Sequence, residues 1–191
     1  MRLVRKLIHV SMAVVPLVGW FVSHPVALVL AAALLFASLV LELARRRWPW
    51  VNRTLWRYAP GLFRSWEQGH VLGSTWYCAA MLAALLLFGS NIGGTAVLFL
   101  ALGDPVAELA GRRWGRPGSG KTLVGSLACL LACLAVAGAG AVLGRLAPAA
   151  AVAGAVAATV AERWPLPPSD NMWIPLFSAL TMAAVQQLVI A

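Results

Sequence analysis

Three stretches of the chain gather residue types suited to phosphate and divalent-cation chemistry. The richest runs Gly103-Asp104-Pro105-Val106-Ala107-Glu108-Leu109-Ala110-Gly111-Arg112-Arg113-Trp114-Gly115. Pro105 suits the first turn of a helix and Asp104 its N-cap. At about 100° per residue, positions 104, 108, 111 and 115 share one stripe, two carboxylates followed by two glycines. Carboxylate oxygens can hold Mg2+, and the bare backbones of Gly111 and Gly115 let a phosphate or a helix come close. The plainer explanation is a cap followed by a Gly-x-x-x-Gly packing face.

The second stretch, Lys121-Thr122-Leu123-Val124-Gly125-Ser126, opens an apolar run. A lysine and two hydroxyls at a helix start can bind phosphate through charge and free backbone N–H groups. Gly115 to Thr122 also matches G-x-x-x-x-G-K-T, but that motif works at a strand-to-helix turn, and here an apolar helix precedes it. The P-loop fold is therefore excluded, while local phosphate chemistry stays open. Third come Glu162 and, after a proline-rich turn, Asp170-Asn171. These offer oxygen ligands for a hard cation, or simply a cap for the next helix. Arg5, Lys6 and His9 open the first apolar run, Lys6 and His9 as i,i+3 neighbours. A positively charged anchor explains them equally well. Glu42 ends the second run, and Arg64, Glu67 and His70 precede the third, where salt bridges suffice as an explanation.

No Ser-His-Asp or Cys-His grouping and no histidine-rich zinc site is evident. Cys129 and Cys133 lie one helical turn apart without a further ligand, and with Cys78 they read as small, reduced apolar residues. Acids, an amide, lysine and glycine remain, which suits Mg2+-dependent phosphate chemistry, where positioning and charge neutralisation dominate.

The elements that must position these groups are apolar helices. Of 191 residues, 61% are hydrophobic and 11% charged, with a mean hydropathy of +0.83, too little polar surface for a soluble domain. Spanning about 30 Å of hydrocarbon takes roughly 20 helical residues. Runs of about that length lie near 7–23, 26–43, 72–89, 92–110, 123–143, 148–161 and 172–190, the sixth being short and rich in Ala and Gly. Alternating sides from a cytoplasmic N-terminus leaves 14 of the 15 basic residues inside, with Arg145 the exception, and all six acids at inner ends or loops. The expected fold is an all-α integral membrane protein, one domain over 1–191. It has about seven transmembrane helices, its N-terminus cytoplasmic and its C-terminus outside. Trp48, Trp50, Trp56 and Trp66 mixed with Arg53, Arg57 and Arg64 mark an interfacial segment near 45–70. The start resembles a signal peptide but lacks a small-residue cleavage site, so it reads as a retained helix. The net charge of +9 follows from retention of basic residues at the inner face, so nucleic acid is not an expected partner. Glycine-rich faces in the fifth and sixth runs suit a homodimer or packing within one chain.

In order, these motifs resemble the CTP-dependent polyprenol kinase family: dolichol kinase, phytol kinase and CTP-dependent diacylglycerol kinases. The resemblance rests on Arg5-Lys6-x-x-His9, Glu42 with Arg45, and Arg64 and Glu67 before Gly73-Ser74-Thr75-Trp76-Tyr77. It continues through Gly103-Asp104-x-x-Ala107 with Gly111 and Gly115, then Lys121-Thr122-x-x-Gly125-Ser126, and Glu162 followed by Asp170-Asn171. The block from Gly103 to Ser126 carries most of it. The resemblance implies transfer of the γ-phosphoryl group of CTP, or of ATP, to a lipid alcohol at the cytoplasmic face of a prokaryotic plasma membrane. Asp104, Glu162, Asp170 and Asn171 would hold Mg2+. Lys121, Thr122, Ser126 and the Gly125 backbone would grip phosphates beside Gly111 and Gly115, assisted by Arg5 and Lys6. Glu108 or His9 would accept the alcohol proton. A lipid-phosphate cytidylyltransferase and a non-enzymatic transporter are the competing expectations; bare mid-membrane helix centres weigh against the transporter.

Overall fold

The structure, a computed structural model, describes residues 2–190 apart from Pro60, Arg64, 117–119 and Pro165. Arg64 and the middle of the Gly115–Thr122 stretch thus lie outside the described residues. The described chain is helical, with no strand: α1 Arg2–Ser11, α2 Val14–Phe21, α3 His24–Arg47, α4 Pro49–Tyr58, α5 Gly73–Phe88, α6 Gly94–Leu98, α7 Asp104–Trp114, α8 Leu123–Val142, α9 Pro148–Arg163 and α10 Asp170–Ile190. Five segments are long and apolar enough to cross a bilayer: Val4–Phe21, His24–Arg47, Gly73–Trp114, Leu123–Val142 and Asp170–Val189.

The third of these, 42 residues long, is not one rod. Gly89 takes φ +68°, a conformation only glycine adopts cheaply, and ends α5. The chain then folds back so closely that a Cβ on Gly93 would collide with the Ala84 carbonyl oxygen. A π-helical turn, Gly89–Gly93, leads into α6, and a second, Phe99–Gly103, joins α6 to α7. Helix α9 has only 16 residues, too few to count among the five, and packs between α8 and α10.

Burial is distributed as lipid solvation requires. The interior combines small groups such as Ala27, Ala31, Ala84, Ala155 and Ala158 with large ones such as Met81, Phe99 and Met182, all fully buried. Many apolar side chains also face outward, including Phe36, Leu87, Val142 and Leu188. In water such a surface would aggregate, whereas hydrocarbon solvates it without cost. The glycines of the later helices serve contacts within the chain: Gly140 meets Trp20, and a Cβ on Gly154 would collide with Met182. Gly138 faces open space.

The contacts sort into two ends. At one, Trp20 Nε1 donates to the Ser90 carbonyl at 2.9 Å, His24 Nδ1 meets Ser90 Oγ at 2.8 Å, and the Arg145 guanidinium covers the Phe21 ring. At the other stand the charged groups described below. Helix α4 carries no buried residue and presents Trp50 and Tyr58 outward. Arg45, although in the basic run before α4, is buried: it forks onto both oxygens of Glu42 at 2.9 and 2.7 Å. It also donates to the Glu67, Gln68 and His70 carbonyls. The bridges seen here run from Arg45 and Arg46 to Glu42 and from Arg5 to Glu67, partners other than those the sequence suggested, and the Arg45 fork ties down the 67–72 connection into α5.

Candidate functional site

Lys121, in the two residues before α8, is the hub. Its Nζ lies 2.9 Å from Glu162 Oε1, 3.1 Å from Asp170 Oδ2 and 3.9 Å from Asp104 Oδ1. The three acids come from the end of α9, the start of α10 and the start of α7. Burial alone would lower the Lys121 pKa, but the three carboxylates outweigh it and hold the pKa above the ordinary lysine value. The ammonium stands at the point those carboxylates share.

Local sequence explains each position. Thr122 caps α8, its Oγ1 accepting from Gly125 N at 3.0 Å, which points the preceding Lys121 at the helix-end cluster. The Arg163 guanidinium donates to the Lys121 carbonyl at 2.7 Å and fixes the turn. Ser126, buried one turn into α8, donates to Glu162 Oε2 at 3.1 Å. Asp170 does two jobs, with Oδ1 accepting from Asn171 N at 3.1 Å and Oδ2 meeting Lys121. The cap of α10 is instead Ser169, whose Oγ accepts from Asn171 N at 3.3 Å and whose carbonyl takes the first helical bonds. Asp104 differs from expectation: it makes no cap, because the π turn Phe99–Gly103 runs into α7 as continuous helix. Its carboxylate is turned to Lys121 and, at 4.0 Å, to His9 Nδ1. A π turn beside such a residue is a common device for re-aiming a side chain.

A second group adjoins the first through Asn171. Its Nδ2 donates to the Gly73 carbonyl at 2.8 Å, while its Oδ1, fully buried, has no hydrogen-bond partner. Gly73 N in turn donates to Glu67 Oε1 at 3.0 Å, and Glu67 pairs with Arg5 at 3.7 Å. A side chain at Gly73 would press on Glu67, Asn171 and Arg5 together. Pro175, lacking an N–H, also leaves the Asn171 carbonyl without its usual helical donor.

No family model, curated protein or solved structure matches this chain.

The residues singled out from sequence divide accordingly. Asp104, Lys121, Glu162, Asp170, Ser126 and His9 form one connected cluster, with Arg5 and Asn171 joined at its edge. Glu108 stands apart: its carboxylate pairs with Arg112 and is 36% exposed. Lys6 is half-buried beside Arg5 and enters no ion pair among the described residues. Gly111 and Gly125 mark where α7 and α8 touch, since a Cβ on either would come within 2.7 Å of Thr122 Oγ1 or the Ala107 carbonyl. Gly115 closes α7 against Thr122. These glycines serve helix packing, not an open phosphate-facing backbone. The sequence motif Gly73–Tyr77 includes Tyr77 but assigns it no role; its hydroxyl is buried without a partner and its ring meets His9 edge-on at 5.0 Å. A lone tyrosine in an apolar run, one turn after Gly73, was the available signal.

The donor set fits a hard cation chemically. Three carboxylates and the unpaired Asn171 Oδ1 are all oxygen, and Mg2+ is commonly held by one or two carboxylates together with substrate phosphates. Among the described residues no three acids, histidines or cysteines stand close enough to cage a metal directly.

Proposed function

We propose that this protein is a membrane phosphotransferase that moves the γ-phosphoryl group of a nucleoside triphosphate, CTP by resemblance, to a lipid alcohol. One observation carries the reading: Lys121, between Asp104, Glu162 and Asp170, stands at the start of α8 beside Thr122 and Ser126. A lysine with hydroxyls at the positive end of a helix suits phosphate oxygens. Carboxylates beside it suit the cation that accompanies a triphosphate. Asp104, Glu162, Asp170 and Asn171 would hold Mg2+, which when bound would neutralise phosphate charge.

The protein's own groups then bind and orient. Lys121, Thr122 and Ser126 grip the phosphates. The alcohol oxygen bonds to the γ-phosphorus as the bond from that phosphorus to the β–γ bridging oxygen breaks. The nucleoside diphosphate leaves with the electron pair, and the alcohol proton passes to His9, preferred over Glu108 because it adjoins Asp104 while Glu108 is tied to Arg112. We further read seven crossings, with the N-terminus and this cluster cytoplasmic and the C-terminus outside. The two-ended sorting of contacts and the sided charge support that topology.

The test uses purified full-length protein, Mg2+ and CTP or ATP labelled at either the α or the γ position, against a panel of lipid alcohols. The expected result is γ label, and no α label, in the organic-soluble product. Transfer of α label would instead indicate a cytidylyltransferase, and no transfer to any alcohol would remove the reading.

A further inference from the structure

A cavity of about 220 Å3 lies between α1, α3 and α5, covered by Leu62 and Phe63. Its wall is mostly apolar, with Met12, Leu41, Leu62, Phe63 and Cys78, and Ile8 at its border reaches the exposed surface. That surface continues as Val4 and Leu7, both more than half exposed, on the face that lipid would cover. The polar part of the lining is Tyr77 and His9 with Ser74 and the Arg5–Glu67 pair. Tyr77 is 2% exposed, yet its hydroxyl has no hydrogen-bond partner. A buried hydroxyl left unpaired is costly, so its presence argues for a ligand group that completes it. His9 stands edge-on to Tyr77 and 4.0 Å from Asp104, which itself adjoins Lys121 at 3.9 Å. The cavity therefore opens to the lipid face at one end and touches the charged cluster at the other.

We propose that this cavity takes the hydroxyl end of a single-chain lipid alcohol, whose oxygen hydrogen-bonds Tyr77 Oη beside His9. The chain runs past Met12, Leu41 and Phe63 toward the hydrocarbon. The proposal rests on the phosphotransferase reading and names its acceptor. Size decides between one chain and two: at about 220 Å3 the space is below the roughly 300–1,000 Å3 of ordinary ligand pockets, enough for a head and the first part of one chain. A diacylglycerol would have to place two diverging chains and a glycerol in it.

The test needs no turnover. Full-length protein in lipid nanodiscs, without nucleotide, is irradiated with geranylgeraniol bearing a diazirine, or with its methyl ether, and adducts are mapped by mass spectrometry. The alcohol is expected to label Met12, Leu41 or Cys78, with competition by unlabelled geranylgeraniol and little by diacylglycerol. The methyl ether, and the alcohol with Tyr77→Phe, should label about three- to tenfold less, the worth of one lost hydrogen bond. Cys78→Phe, which fills the cavity while leaving Tyr77 in place, should abolish labelling. Adducts elsewhere, equal competition by diacylglycerol, or wild-type labelling of both variants would overturn the proposal. Cavity labelling without phosphoryl transfer to any alcohol would sink only the enzyme reading. Transfer with adducts elsewhere would sink only the cavity.

Discussion

Lys121 and Asp170, 49 positions apart, meet at 3.1 Å between Nζ and Oδ2. The contact joins the turn before α8 to the first residue of α10, with Glu162 of α9 closing the triangle. Three helix ends are thus drawn to one cation.

Removing that cation leaves three acids facing each other. Lys121→Met is expected to lower phosphoryl transfer at least about a hundredfold, as loss of a preorganised charge does, and to destabilise the helix ends. Transfer of γ label and thermal unfolding in detergent read the two effects. Wild-type-like turnover would take Lys121 out of the mechanism.

The pH response follows from the raised Lys121 pKa, which burial opposes and Asp104, Asp170 and Glu162 more than restore. A raised pKa in the folded state contributes stability that is whole below the unfolded value and is lost as pH climbs through the folded one. The stability gap between wild type and Lys121→Met should therefore be flat from neutral pH to about 10 and shrink only above it. Unfolding midpoints across that range check this. A gap that closes between pH 7 and 9 would mean that the carboxylates do not hold the ammonium.

His9 and Glu108 are separable. Glu108→Gln, at a partly exposed pair with Arg112, should leave turnover within about twofold, since such pairs are worth about 0–1 kcal/mol. His9→Ala should cost about 10²–10⁴-fold in kcat, the range for a positioned acid–base group. The opposite ranking would exchange their roles.

Two glycines of α8 should respond with opposite signs. Gly125→Ala sets a Cβ 2.7 Å from the Ala107 carbonyl and should destabilise by about 1–3 kcal/mol. Gly138→Ala meets open space and should stabilise by up to about 1 kcal/mol. Thermal midpoints of the two variants decide.

Breaking the buried fork should loosen the entry to α5. Arg45→Ala removes the donor shared by the Glu42 carboxylate and the Glu67, Gln68 and His70 carbonyls, leaving Glu42 to Arg46 and the Leu72 amide, at a cost of about 1–3 kcal/mol. Protease sensitivity after Tyr58 should rise in step. Unchanged resistance would show the 67–72 connection to be held by other contacts.

What could be read from the sequence alone follows from one rule of solvation. Hydrocarbon admits long apolar helices and few charges, so the runs and the rare acids among them were visible, and Asp104, Lys121, Glu162 and Asp170 were found as separate points. Their convergence needed the fold, because nothing local to Lys121 says that a carboxylate 41 or 49 residues later stands beside it. The same limit hid the purpose of Gly111 and Gly125. A glycine looks alike whether it admits a phosphate or a neighbouring helix, and only the Thr122 and Ala107 contacts tell them apart. Asp104 looked like a cap because Asp-Pro commonly begins a helix, whereas the preceding π turn keeps the backbone helical and frees the carboxylate. The choice of His9 over Glu108, and the cavity that ends at Tyr77, belong wholly to tertiary structure. A cavity is the space left between α1, α3 and α5, and no single segment encodes space.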